Sequence, residues 1–149
     1  MTRDEEAMRL ALAEAELALA TGDVPVAAVI LDADGAVIAT ARNEREKHQD
    51  PTAHAEVVAI RRAAEALGEW RLTDTTLVVT LEPCVLCAGA ILAARIPRVV
   101  FGAWDEKAGA AGSVYDLLRD RRLNHRAEVV GGVLEDECGR LLSGFFSEL

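Results

Sequence analysis

Three side chains near two predicted helix starts have the types and spacing of a catalytic metal site. His54 stands at the start of one apolar helical pattern, and Cys84 and Cys87 stand at the start of another. Cysteines three positions apart share one face of a helix, and the positive end of the helix dipole stabilises their thiolates. Three protein ligands with an open fourth position are typical of catalytic zinc, whereas structural sites normally supply four. The pattern predicts one zinc ion held by these three residues.

Glu56 follows His54 by two residues in the segment His-Ala-Glu. In the middle of a helix two such side chains would diverge, but the first turn allows both to face one site. A carboxylate at the open coordination position can take a proton from water and return it to a leaving group. The spacing therefore predicts Glu56 as the general acid and base beside the metal.

Each of these residues also has a plainer interpretation. His54 fits a surface position, Glu56 fits a first-turn acid favoured by the helix dipole, and the Cys-x-x-Cys pair fits chance or a redox motif. Such interpretations must explain two motifs separated by 26 residues, each at a predicted helix start. Cys138 is not expected to be a fourth ligand, because the surrounding apolar pattern already explains it as part of the core.

Strands and helices alternate along the chain, which predicts an α/β domain built in layers. The hairpin signal Asp34-Gly35 separates the first two apolar runs. No repeat or linker divides residues 1–149, so we expect a single domain. The predicted strands are residues 26–31, 37–40, 75–81, 98–103 and 129–130, and the predicted helices are residues 3–21, 51–67, 83–94, a segment from 113, and 134–146.

The helix boundaries are predicted from capping signals. Thr2 and Glu5 form a capping box, Asp50 precedes Pro51 at a first helical position, and Ser113 precedes Asp116 by three residues. The glycine-rich segment before Ser113 is expected to be flexible, and it is not a phosphate loop because its lysine precedes the glycines. The expected buried face of the last helix is Leu134, Leu141, Leu142, Phe145 and Phe146.

Composition indicates a folded protein, with 51% apolar and 28% charged residues in a chain of 149. No apolar run approaches the ~18 residues of a membrane span, and the acidic first twenty residues do not resemble a signal peptide. Three cysteines in such a chain favour metal or redox chemistry over a disulfide framework. We therefore expect a cytoplasmic protein without a membrane partner.

The net charge of −9 argues against a general nucleic-acid binder. Its distribution changes that conclusion, because residues 1–41 carry two arginines against eight acidic residues and residues 127–149 carry one against five. The middle segment is close to neutral, and charges beyond a Debye length of about 8 Å are screened. A specific RNA or nucleotide partner is compatible with this pattern.

Longer segments add a resemblance to a known family. Around the His-x-Glu and Pro-Cys-x-x-Cys signature of zinc nucleobase deaminases, nearly the whole chain resembles the bacterial tRNA-specific adenosine deaminases. The metal motifs are typical of the wider cytidine-deaminase-like superfamily, and the last two matching segments are those that favour the tRNA enzymes. The matching segments are Val24-Pro25-Val26, Asn43, residues 50–56, 80–90 and 98–102, Gly109-Ala110-Ala111-Gly112-Ser113 and Asn124-His125-Arg126.

The resemblance implies a three-layer α/β/α cytidine-deaminase-like fold with a central mixed five-stranded sheet. It also implies a homodimer that converts adenosine to inosine at the wobble position of a tRNA anticodon stem-loop. In this family's pattern His54, Cys84 and Cys87 bind one Zn²⁺ per subunit, Glu56 moves protons and Asn43 binds the flipped nucleoside. Asp105, Lys107 and Asn124 match the anticodon-loop contact region, although each also fits an ordinary surface or turn residue.

Two departures from the family pattern concern packing and affinity. Many members carry glycine where this chain has Ala27, so the backbone there must accept a Cβ atom. The chain ends at Leu149 without the basic extension common in the family, which we expect to reduce affinity for tRNA rather than chemistry.

The densest basic cluster offers other phosphate contacts, or is simply a solvated helix end. It consists of Arg119, Arg121, Arg122 and Arg126. Aromatic residues are sparse at 4%, and Trp104 with Phe145 or Phe146 supply the only local stacking candidates.

Two other functions fit the same motifs. A related deaminase could act on a free base or nucleoside such as guanine or cytidine with the same metal and Glu56. A zinc-stabilised binding module would need neither the open coordination position nor Glu56.

Overall fold

A single mixed sheet of five strands forms the centre of the computed structural model, which describes residues 1–149. The strand order is β2-β1-β3-β4-β5, with β1 antiparallel to both of its neighbours and β4 parallel to both of its own. This confirms the predicted mixed sheet. The strands are β1 Ala27–Leu31, β2 Val37–Arg42, β3 Thr76–Leu81, β4 Arg98–Ala103 and β5 Glu128–Val130.

Helices cover both faces of the sheet and complete the three layers. The helices are α1 Arg3–Leu17, α2 Arg45–His48, α3 Ala55–Leu67, α4 Val85–Ala93 and α5 Glu135–Ser147, and a 3-10 turn, Ala18–Thr21, extends α1. Buried residues of α3 and α4 form one apolar cluster with the sheet, and those of α1 and α5 form a second on its other face. None of the helices combines the length and the apolar character needed to cross a membrane.

The continuous apolar runs of the central strands follow from this double covering. Successive strand residues point to opposite faces, so Ile30 joins the cluster with α3 and α4 while Val29 joins the cluster with α1. Ala27 is completely buried at the start of β1. Its backbone lies in an ordinary strand, so the Cβ atom that departs from the family pattern is accommodated.

Strand direction gathers the chemistry-bearing residues at one edge of the sheet. The carboxyl ends of β2, β3 and β4 meet there, because β2 and β3 are both antiparallel to β1 and β4 is parallel to β3. Asn43 follows β2, Cys84 follows β3 after a short turn, and Asp105 follows β4. The sheet thus brings together residues that are far apart in sequence.

The helix predicted from Pro51 begins instead at Ala55. The Asp50 carboxylate accepts hydrogen bonds from the Thr52 amide at 2.9 Å and from the Thr52 hydroxyl at 2.8 Å. These local bonds form a turn that competes with helix formation. The segment between β2 and this turn, for which the sequence analysis gives no helix, contains the short helix α2.

No helix follows Ser113, which contradicts that prediction. The Gly112 amide donates to the Tyr115 carbonyl at 2.8 Å and closes a turn. Ser113 does not cap a helix, because its amide and hydroxyl both donate to the carboxylate of Glu82.

The predicted buried face of the last helix also needs correction. Cys138 is its only fully buried residue, with 1% of its surface exposed, which confirms the interpretation of this cysteine as core. Leu134, Leu141, Leu142 and Phe145 are only half-buried, and Phe146 is 54% exposed. The last turn of α5 therefore leaves an aromatic side chain on the surface.

Candidate functional site

The amino ends of α3 and α4 face each other at the edge of the sheet where the carboxyl ends of β2, β3 and β4 meet. His54 is the N-cap residue of α3 and Cys84 is the N-cap residue of α4. Neither side chain makes the usual capping hydrogen bond to its own helix. Both side chains are thus available to a ligand at a point where two helix dipoles favour negative charge.

The structure brings together the three residues that the sequence predicts as zinc ligands. Ligand atoms of His54, Cys84 and Cys87 lie within 4.8 Å of one another, and His54 Nδ1 lies 3.7 Å from Cys84 Sγ. Tetrahedral zinc, with bonds of about 2.3 Å to sulfur and 2.0 Å to nitrogen, places its ligands about 3.5 to 4 Å apart. The donor set and its spacing therefore fit a zinc ion.

The pKa values of the two adjacent thiols, Cys84 and Cys87, are shifted in opposite directions. Hydrogen bonds from Cys87 and His54 lower the pKa of Cys84 to about 3, although partial burial opposes this shift. The pKa of Cys87 is raised, because its thiol donates to Cys84 and lies in a buried, negatively charged environment. A divalent cation would offset the repulsion between two thiolates, which further supports a metal at this position.

Glu56 lies beside these ligands with only 4% of its surface exposed. Burial raises the pKa of its carboxyl to about 7. A group with a pKa near the working pH can both accept and donate a proton. The geometry is therefore compatible with the predicted acid-base role of Glu56.

A cavity of about 190 Å³ opens onto the predicted metal ligands. Its apolar walls include Val24, Val26 and Leu81, and Asn43 and Glu56 contribute polar groups. The Asn43 side-chain oxygen accepts a hydrogen bond from the Arg45 amide at 3.2 Å. This bond orients the side chain and leaves its NH₂ group as a donor for a bound molecule, which is compatible with the role predicted for Asn43.

Glu82 is a cavity residue that the sequence analysis missed. Only 2% of its surface is exposed, and its carboxylate accepts hydrogen bonds from the amides of Asp105, Ala111 and Ser113. Burial alone would raise the pKa of Glu82, but these bonds and the Ser113 hydroxyl outweigh it and lower the pKa. The available signal was an acidic residue directly after an apolar strand and two positions before the first cysteine of the Cys-x-x-Cys pair.

Asp23 was missed as well, and it holds the other wall of the cavity. Its carboxylate accepts hydrogen bonds from the amides of Glu46 at 2.6 Å and Lys47 at 3.2 Å, at the start of α2. It is 1% exposed. These bonds fix the short helix whose first residue, Arg45, lines the cavity.

The three residues predicted to contact an anticodon loop do not lie together. Asp105 lines the cavity that opens onto the predicted metal ligands, and Lys107 lines an adjoining cavity. Asn124 lies elsewhere, in a surface depression beside His125, whose Nε2–H donates to the carbonyl of Ile96 just before β4. Ile96 precedes β4 and Asp105 follows it, so the two contacts lie at opposite ends of this strand.

Comparison with known proteins identifies close relatives. The family model for the zinc-binding region of cytidine and deoxycytidylate deaminases matches residues 1–103. The tRNA-specific adenosine deaminase of Bacillus subtilis (strain 168) is 52% identical over 149 residues, a match that covers 100% of this chain and 92% of that protein. The relationship therefore extends over the full chain.

Solved structures show the same fold. A structure from a study of A-to-I editing by tRNA:A34 deaminases at the wobble position of transfer RNA has a TM-score of 0.88 and 44% identity, covering 92% of this chain and 99% of that one. A guanine deaminase from Bacillus subtilis has a TM-score of 0.65 and 41% identity, covering 73% of this chain and 69% of that one. The tRNA deaminase structure thus matches more completely.

We predict that the purified protein contains one zinc ion per chain and that His54→Ala or Cys84→Ser removes it. Each substitution deletes one of three ligands and leaves too few to hold the ion tightly. Elemental analysis after dialysis against a weak chelator measures the change. Cys138→Ala is the matched control, because this cysteine is buried on the other face of the sheet and should leave zinc content unchanged.

Proposed function

The chain belongs to the cytidine and deoxycytidylate deaminase family, and we propose that it hydrolyses adenosine to inosine at the wobble position of a tRNA anticodon. The observation that carries the substrate assignment is the full-length match to a tRNA-specific adenosine deaminase at 52% identity. The alternative of a free base such as guanine is less well supported, because the matching guanine deaminase structures have lower TM-scores and lower sequence identities than the tRNA deaminase structure.

His54, Cys84 and Cys87 would hold the zinc ion, as the spacing of their ligand atoms supports. When bound, zinc supplies the Lewis acidity that activates water for attack on C6 of adenine at neutral pH. The reaction consumes one water molecule and releases ammonia. The remaining steps are proton transfers and binding by side chains around the cavity.

Glu56 carries the protons in this proposal. Its buried carboxylate takes a proton from the attacking water and delivers it to N1 of adenine. It then takes the second proton from the oxygen now bonded to C6 and gives it to the departing amine, so that ammonia leaves and the C6 carbonyl of inosine forms. The Asn43 NH₂ group donates to the bound nucleoside, since its oxygen is already engaged by the Arg45 amide. Val24, Val26 and Leu81 contact the base and exclude water.

An anticodon loop would meet aromatic and cationic groups beside the catalytic cavity. Trp104 and Phe146 are 44% and 54% exposed and line the adjoining cavity together with Lys107. The Trp104 ring is held edge to face against Phe101, with 4.7 Å between ring centroids. A rigid aromatic face and a lysine suit stacking with a neighbouring base and attraction to a phosphate.

Arg121 and Arg126 are proposed as more distant phosphate contacts. Both line the depression around Asn124, and neither forms an ion pair within the chain. In contrast, Arg119 pairs with Asp116 and Arg122 pairs with Asp120. A stem-loop presents phosphates well beyond the reacting base, so contacts of this kind add affinity and positioning.

The exposed face of α4 supports a homodimer. This helix contains only apolar residues, yet Val85 and Leu86 are 50% and 42% exposed on the side away from the sheet. Such a face is typical of a surface that another protein covers. A second copy of the chain is the proposed partner, with residues 1–149 forming one deaminase domain per subunit that acts on tRNA in the cytoplasm.

Glu56→Ala should retain zinc and fold while losing turnover by about 10²-fold or more, because the proton carrier is removed. The assay measures inosine at the wobble position of an anticodon stem-loop, with ammonia release from free guanine, cytidine and adenosine followed in parallel. Glu65→Ala, an exposed position on the same helix, is the control and should remain active.

Two results would contradict parts of this proposal. An unchanged rate in Glu56→Ala would exclude the acid-base mechanism. Ammonia from a free base with an untouched stem-loop would retain the zinc chemistry and exclude the tRNA substrate.

Arg121→Glu or Arg126→Glu should weaken binding of the stem-loop and reduce the slope of log affinity against log salt by about one. Binding is measured by fluorescence anisotropy at several salt concentrations. Arg9→Glu changes the net charge equally on the exposed surface of α1 and should have little effect. Equal affinities and equal salt dependence in all three variants would show that Arg121 and Arg126 do not contact the RNA.

Leu86→Asp should convert the dimer to a monomer, because it places a charge on the exposed apolar face of α4. Sedimentation velocity measures the mass, and zinc content verifies that the variant is folded. Leu10→Asp on α1, where the leucine is 53% exposed, is the control. A wild-type protein that sediments as a monomer would contradict the homodimer.

A further inference from the structure

The loop of residues 105–113, here called the cavity loop, is fastened to one buried carboxylate. Glu82 Oε1 accepts from the Asp105 amide at 2.9 Å, and Oε2 accepts from the Ala111 and Ser113 amides at 3.0 Å each. The Ser113 hydroxyl also donates to Oε1. Both ends of the loop therefore converge on the same side chain.

A second set of bonds passes this restraint to the residues at the cavity. The Asp105 carboxylate accepts from the amides of Lys107 and Ala108, at 3.1 Å each. The position of Lys107 thus depends on Asp105, and Asp105 is itself bonded through its amide to Glu82. Asp105 and Ala108 line the catalytic cavity, while Lys107 lines the adjoining one.

Gly109 shows how closely the loop approaches this carboxylate. A Cβ atom built on Gly109 would lie 2.3 Å from Glu82 Cδ and 2.4 Å from both carboxylate oxygens. Gly109 does not have a positive φ, so this approach alone accounts for the requirement for glycine. The Glu82 carboxylate therefore occupies the space that a side chain at position 109 would need.

The same segment connects the loop to the predicted metal ligands. Glu82 is followed by Pro83, whose carbonyl accepts from the Ala110 amide at 2.8 Å, and then by Cys84. The Glu82 amide in turn donates to the Ala103 carbonyl at the end of β4, at 2.8 Å. One short segment therefore fixes both a metal ligand and the cavity loop.

We propose that Glu82 is a positioning residue that holds Asp105 and Lys107 in a preformed arrangement for the substrate RNA. This role rests on the proposed tRNA substrate and concerns binding, since Glu82 does not need to touch the reacting base. Buried carboxylates that accept several amide bonds are strong restraints, because each bond is charge-assisted. The RNA therefore binds a loop that is already ordered, and binding does not incur the entropy cost of ordering it.

Glu82→Gln tests the proposal with little change in shape. The amide NH₂ group cannot accept from an N–H group, so at least one loop bond is lost and a buried donor faces another donor. We expect faster hydrogen exchange confined to the cavity loop, a KM for the anticodon stem-loop raised about tenfold, a smaller change in kcat, and unchanged zinc content. Glu65→Gln, exposed on α3, is the control.

Gly109→Ala provides a test that keeps the carboxylate. The added methyl group should push the loop away from Glu82 and reproduce the faster exchange and raised KM. Combining it with Glu82→Asp shortens the acidic side chain, so the double variant should recover part of both losses relative to Gly109→Ala alone. A general loss of stability would not be relieved by this second substitution.

The outcomes separate this inference from the substrate assignment. Unchanged exchange and KM in Glu82→Gln would overturn the positioning role, as would faster exchange throughout the chain with loss of zinc. Faster exchange confined to the loop in a protein that never converts the stem-loop would overturn the tRNA substrate and leave the fastening of the loop supported.

Discussion

Groups that can carry negative charge are concentrated in a buried volume between the amino ends of α3 and α4, and the surrounding structure stabilises that charge. Two sulfurs and the Glu56 carboxylate lie within it, and a second carboxylate, Glu82, lies at its margin. Helix dipoles, backbone amides and a bound cation are the means by which a protein stabilises such charge. The strand directions make this stabilisation possible, because they bring two helix starts and three strand ends to one edge of the sheet.

Acidic residues are concentrated in one helical layer of the fold, the one formed by α1 and α5. The first turns of α1 and α5 are both acidic, and these two helices cover the face of the sheet opposite α3 and α4. Part of this charge is compensated internally, since Arg98 makes two hydrogen bonds to Asp4. The net charge of −9 therefore describes the molecule poorly as a partner for RNA, because the charged residues that line the cavity all belong to the near-neutral middle segment.

Features encoded by neighbouring residues were predicted well, and features set by distant partners were not. The hairpin and all five strands follow from local patterns, and the structure confirms them. Local motifs at two helix starts also supplied His54, Cys84 and Cys87, which the structure brings together. The helix expected after Ser113 fails because its capping groups bond to Glu82, 31 positions earlier. Likewise, the separation of Asn124 from Asp105 depends on the path of β4, which spacing in sequence does not reveal.

Most of the bonds between Glu82 and its loop come from main-chain amides, which every residue type except proline possesses. The shape of the loop consequently depends on few of its own side chains: the carboxylate at position 105, the absence of a side chain at position 109 and the hydroxyl at position 113. Exposed positions such as Glu106 and Lys107 can diversify while the scaffold beneath them persists. During evolution, substitutions at these exposed positions can therefore change what the loop recognises while the catalytic framework stays the same.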